Sequence, residues 1–145
     1  MTIMSNLESV VKRAVMALAV LLGVSGVGAA DISSGSASET SIKHVSASEA
    51  QKLMVNQKVV VLDLRTPEEF QAGHIAGATN IDFLATGFEQ RLANLDKSKI
   101  YLVHCASGNR STQALPVFKK LHFQSLYHLD GGFRSWEKGR LPVKQ

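Results

Sequence analysis

Two stretches, "KVVVLDL" (58–64) and "KIYLVHC" (99–105), limit what this chain can fold into more than any other feature. Each is an unbroken run of β-branched and other apolar side chains, without the polar alternation of a half-exposed strand. Such runs fit strands covered on both faces. A strand buried on both faces needs layers above and below it, and the segments between the runs supply helices. "SASE" (46–49) pairs Ser46 with Glu49 in a capping box, and Ala50, Leu53 and Met54 follow at helical spacing. "TPEEFQAG" (66–73) sets Pro67 at a first helical position, two acids in the first turn and Gly73 as a stop. Helices are also expected over 83–95, 111–123 and 132–139, and shorter strands over 77–81 and 125–129. Alternating strands and helices predict an α/β fold with a mostly parallel central sheet and helices on both faces.

The N-terminal residues have a different character. Lys12 and Arg13 precede an apolar run from Ala14 to about Val27, and the small residues Gly28, Ala29 and Ala30 follow. That order predicts a secretory signal peptide over 1–30, cleaved before Asp31. The apolar run is short of the ~20 residues of a spanning helix, which argues against an uncleaved anchor. Residues 31–41, "DISSGSASETS", read as a flexible Ser-rich spacer. The folded domain is expected over 42–145. A net charge of +4 without clustered cations and interleaved aromatics gives no argument for nucleic acid. The five histidines, 44, 74, 104, 122 and 128, show no ligand spacing along the sequence, and no metal site is expected.

The chain has one cysteine, Cys105, at the carboxyl end of the second apolar run. Ligands bind outside the carboxyl ends of strands in open α/β sheets. The loop Ala106, Ser107, Gly108 and Asn109 is small and leads into a helix start, where unpaired N–H groups favour negative charge. Gly108 permits a positive φ. Arg110 adds a guanidinium fork suited to an oxyanion. These features favour thiolate, the reactive form of cysteine. An inert thiol packed at a strand end would leave this combination unexplained. Four residues separate Cys105 from Arg110, one fewer than in the phosphatase Cys-to-Arg loop.

Three stretches together resemble the rhodanese family of single-domain sulfurtransferases, over about residues 42–142. "VVVLDLRTPEEFQAGHIAGATNI" resembles its Asp-x-Arg and Gly-His-Ile-x-Gly-Ala signature, "YLVHCASGNRS" its Cys-x-x-Gly-x-Arg-Ser loop, and "LDGGFRSW" its closing Gly-Gly and Trp. The resemblance implies that Cys105 takes a sulfane sulfur from thiosulfate or a related donor. The resulting persulfide would pass that sulfur to cyanide or a thiol. The residues expected to bind substrate are Arg110, Ala106, Ser107, Gly108 and Asn109, with Asp63, Arg65 and Ser111 in support. No cofactor is implied. The exported members it is similar to imply a periplasmic monomer without stable membrane association after cleavage. Two alternatives remain: a non-catalytic binding or sulfur-carrier module, and phosphatase or arsenate reductase chemistry, which the four-residue loop disfavours.

Four further expectations concern individual residues. Arg65 and Glu69 are read as an ion pair at the strand-to-helix turn. His104 is expected to point away from the nucleophile, because strand side chains alternate. Trp136 is read as a packing residue, and His74 as hydrogen-bonded to backbone. The chain also departs from the family pattern in three places. Ala106 stands where many members have a base, and His122 where a Gly ends the helix. Pro116 lies in the helix after the loop and predicts a start near Thr112 or a bend at 116.

Overall fold

The computed structural model describes residues 39–145. The expected signal peptide and most of the spacer lie outside them. Chain order is β1 (Ser41–Val45), α1 (Ala47–Asn56), β2 (Val59–Asp63), α2 (Pro67–Ala72), β3 (His74–Ile75), β4 (Thr79–Asn80), α3 (Phe88–Ala93), β5 (Ile100–His104), α4 (Asn109–Lys120), β6 (Ser125–Leu129), α5 (Gly132–Lys138) and β7 (Val143–Lys144). Five strands form one sheet in the order β1-β6-β5-β2-β4, each neighbouring pair parallel. The two apolar runs, β2 and β5, pair at its middle, so burial on both faces follows from their position.

Residue parity sorts the side chains of the sheet into two layers. Tyr101, Val103 and Cys105 pack with Phe118 and Ala114 of α4 and Phe88 and Leu92 of α3. Leu102, Val61 and Leu129 pack on the opposite face with Ala50 of α1 and Phe133 and Trp136 of α5. Trp136 is fully buried and donates its indole N–H to the Pro142 carbonyl at 2.9 Å, in keeping with a packing role. His104 lies on the α5 side, stacked on Phe133 at 6.2 Å between ring centroids. It therefore faces away from the α4 layer that holds Cys105.

Both short-range caps form as their residues dictate. Ser46 and Glu49 close a capping box on α1, and Thr66 and Glu69 close another on α2, with Pro67 in its first turn. His74 shares a 3.0 Å hydrogen bond with the Phe70 carbonyl. His122 takes the left-handed backbone at φ 59, where a glycine would be free of strain.

Three expectations needed correction. The helix expected over 83–95 exists only as α3, because the Asp82 carboxylate accepts the Leu84 N–H in a turn and Gly87 turns left-handed at φ 85. α4 begins at Asn109, not near Thr112, and Pro116 sits in its interior. The Gly108 carbonyl explains the early start: it accepts both the Thr112 N–H at 2.9 Å and the Thr112 hydroxyl at 2.8 Å. β1 was not foreseen as a strand and begins at Ser41, inside the expected spacer.

Candidate active site

Cys105 follows β5 directly, at the carboxyl edge of the sheet, with its residue only 1% exposed. Gly108 is left-handed at φ 97 and turns its N–H onto Sγ at 3.2 Å. The Ser111 hydroxyl, from the first turn of α4, reaches Sγ at 3.6 Å. Burial alone would push the Cys105 thiol up. The N–H groups of Ser111, Ser107 and Gly108, with the Ser111 hydroxyl, outweigh it and hold the thiol below its ordinary value. The short loop thus forms a ring of donors around one sulfur atom.

α5 holds the back of this loop. Phe133 N–H donates to the Cys105 carbonyl at 2.8 Å, and Arg134 N–H to the Ala106 carbonyl at 2.9 Å. The approach is so close that a Cβ at Gly132 (φ 59) would lie 2.5 Å from the Cys105 carbonyl oxygen. Only glycine fits there without moving the loop. His104 also uses the Cys105 carbonyl, through Nδ1 at 3.2 Å. Burial pushes the His104 pKa down against the pull of Asp63, which keeps the ring neutral.

The charged residues pair differently from the sequence-based expectation. Arg65 does not bind Glu69. Its guanidinium makes contacts with Asp63 at 2.6 and 3.0 Å, donates to the Gly73 carbonyl at 2.7 Å and stacks on Phe133 at 3.9 Å. Both members are buried. Helical i,i+4 spacing does not apply to Arg65, because it precedes the Thr66 cap and stands off the helix face. Glu69 instead takes the two terminal nitrogens of Arg110, each at 2.8 Å. This fork-to-fork pair links α2 to α4 across the mouth of the loop. Arg110 thus stands beside the loop with its fork directed at a carboxylate. Of the other predicted binding residues, Ser107 and Gly108 present N–H groups to the sulfur. Ala106 lines a groove of about 410 Å³ together with Arg65, Glu69, Gly73, Phe133 and Arg134. The exposed Asn109 turns along the helix to Gln113 at 3.2 Å.

The Arg110 guanidinium beside Glu69 holds its carboxyl down at about 2. A carboxylate depressed in the folded state stabilises above its unfolded value, about 4.3, and that contribution fades as pH falls toward 2. Urea midpoints of the wild-type protein are therefore expected to fall more steeply than those of Glu69→Gln across this window. Parallel curves would show that the pair adds nothing to stability.

The sequence reading missed one group of residues altogether. β1 and β6 pair with His44 opposite His128, and their rings lie 4.9 Å apart. Asp130, just past β6, shares Oδ1 with His44 Nδ1 at 2.8 Å and His128 Nδ1 at 3.2 Å. Only the strand pairing brings these histidines together, and no sequence spacing records it.

Comparison with known proteins places the architecture. The sequence model of the rhodanese-like domain matches residues 46–139. A thiosulfate sulfurtransferase GlpE of Pseudomonas putida is 36% identical over 94 residues, 65% of this chain and 84% of that protein. Thiosulfate sulfurtransferase 16, chloroplastic, of Arabidopsis thaliana is 34% identical over 93 residues, covering 57% of this chain and 78% of that one. The crystal structure of a rhodanese-related protein from Thermoplasma volcanium superposes with a TM-score of 0.63 at 29% identity, over 70% of this chain and 97% of that one. With the family model spanning most of the described residues, and the cysteine loop where the fold presents ligands, the chain belongs to the rhodanese-like domain family.

Proposed function

We propose that the protein is a rhodanese-type thiosulfate sulfurtransferase in which Cys105 carries the sulfur as a persulfide. The observation that carries this reading is the donor ring around Cys105 Sγ, in a family whose relatives include thiosulfate sulfurtransferases. The thiolate attacks the outer sulfur of thiosulfate, the S–S bond breaks and sulfite leaves with the electron pair. Donors aimed at the thiolate also suit the terminal anion of a persulfide. Cyanide or a thiolate then attacks that terminal sulfur and regenerates the Cys105 thiolate. Two half-reactions through a covalent intermediate give ping-pong kinetics. The four-residue interval to Arg110 leaves a ring sized for one sulfur atom, which supports sulfur over phosphoryl transfer.

Arg110 is held by Glu69 and position 106 is alanine, so the loop N–H groups and the Ser111 hydroxyl are the donors on the sulfur, with the Arg110 charge beside them. Arg134 adds a cation at the groove. We also propose that the protein works in the periplasm, from the order of Lys12, Arg13, the apolar run and Ala30.

Incubating the purified protein with thiosulfate tests the activity. One sulfite released and one sulfur atom gained in intact mass per chain are expected, and adding cyanide should reverse the mass gain. Neither sulfite nor added sulfur would refute the reading for thiosulfate. The mass of the exported protein tests the second proposal, since cleavage predicts a chain starting at Asp31.

A further inference from the structure

The Ser111 hydroxyl touches more partners than its one hydrogen can serve. It lies 3.6 Å from Cys105 Sγ, 3.0 Å from the Gly108 carbonyl and 2.8 Å from His128 Nε2. The line continues from His128 Nδ1 to Asp130 and from Asp130 to His44. His128 is buried at 3% exposure, whereas Asp130 and His44 are exposed. An unbroken hydrogen-bonded path therefore runs from the buried sulfur to the surface.

We propose that His128, oriented by Asp130, accepts the Cys105 proton through the Ser111 hydroxyl and so generates the nucleophilic thiolate. The inference rests on the sulfurtransferase reading of Cys105. In the thiol state His128 donates Nδ1–H to Asp130, and its bare Nε2 accepts the Ser111 hydroxyl hydrogen. When the thiol ionises, the S–H bond breaks and its proton moves to Ser111 Oγ. The original serine hydrogen passes to Nε2 at the same time. One proton has moved, no oxidant is needed, and the products are a thiolate and an imidazolium facing the Asp130 carboxylate. Ser111 then accepts from Nε2–H and points its hydrogen at the sulfur. The transfer thus resolves the competition for the serine hydrogen in favour of the thiolate.

Each element packed around the site leaves this role to His128. On β5, His104 turns to the opposite face and spends Nδ1 on a carbonyl. On α4, Arg110 lies beside Cys105 but holds its charge permanently and is paired with Glu69. On β1, His44 packs its ring 4.9 Å from that of His128 and bonds Asp130 through Nδ1, which places it farther from the sulfur than His128. His128 acts through Ser111 and never touches the transferred sulfur, so it is a positioning residue.

The test is the rate of Cys105 alkylation by iodoacetamide as a function of pH, for wild type, His128→Gln and Asp130→Asn. Alkylation needs no sulfur donor, so its outcome is separate from that of the thiosulfate experiment. The midpoint for thiolate formation is expected to move up in both variants, further for His128→Gln. At pH values below both midpoints, a midpoint higher by about one pH unit reads as a rate lower by about tenfold. A change in mere access would alter rates at every pH without moving the midpoint, and that result would overturn the proposal. Unmoved midpoints would overturn it as well. Asp130 is exposed and its replacement leaves the core intact, so Asp130→Asn decides the question if His128→Gln fails to fold.

Discussion

Cys105→Ser is expected to eliminate sulfite release and sulfur uptake, a loss of more than about 10⁴-fold, the scale found when a nucleophile is removed from its machinery. A serine hydroxyl in the same ring of N–H donors stays protonated at neutral pH, and an oxygen there cannot hold a persulfide. The fold should tolerate the change. Sγ packs beside Ala114 and Val103, but it also accepts from Gly108 N–H and the Ser111 hydroxyl, and a hydroxyl oxygen can accept those donors too. Urea denaturation should therefore differ from wild type by no more than about 1 kcal/mol. Loss of activity with retained stability assigns the chemistry to the sulfur. Activity within tenfold of wild type would show that the sulfur passes elsewhere.

Asp63→Ala is expected to destabilise the fold by about 3–5 kcal/mol, because it strands a buried guanidinium. Asp63 is 0% and Arg65 4% exposed, so the guanidinium left behind would stand almost wholly out of water. Folded domains are stable by only about 5–15 kcal/mol, so this variant should sit near its unfolding threshold. The pair also organises the end of β2. Arg65 reaches Gly73 past α2, and the Asn80 amide donates to the carbonyls of Asp63 and Arg65 at 3.0 and 2.7 Å. Urea unfolding measures the cost. Removing both charges with Asp63→Leu and Arg65→Met should cost less than Asp63→Ala alone, since no unpaired ion is left. A loss below about 1 kcal/mol for Asp63→Ala would mean that the guanidinium finds water after all.

The parts of this fold that were legible in the sequence are those written in neighbouring residues. β2 and β5 are read from continuous apolar runs, α1 and α2 from capping boxes, and the cysteine loop from small residues beside a strand end. β1 escaped because it is an edge strand with one buried residue, Val45, and gains its identity from pairing with β6. β3 and β7, two residues each, likewise exist only through each other. Ion pairs escaped for a related reason. Arg65 and Glu69 have helical spacing but straddle a cap, while Glu69 and Arg110 meet from helices far apart in sequence. The His44, His128 and Asp130 cluster follows from strand register, which no spacing rule reports. Family resemblance supplied the loop residues, but did not show that Asn109 turns away along α4.

The grip of α5 on the loop has an electrical consequence. A trans peptide is flat, with its carbonyl and N–H pointing in opposite directions. By drawing the carbonyls of Cys105 and Ala106 outward, the first turn of α5 fixes the facing direction of the next two amide hydrogens, those of Ala106 and Ser107. Were those peptides to flip, carbonyl oxygens would line the cavity and repel a thiolate. A helix that never meets the sulfur therefore decides the sign of the potential there, and Gly132 is the hinge pin that lets it come near enough to do so.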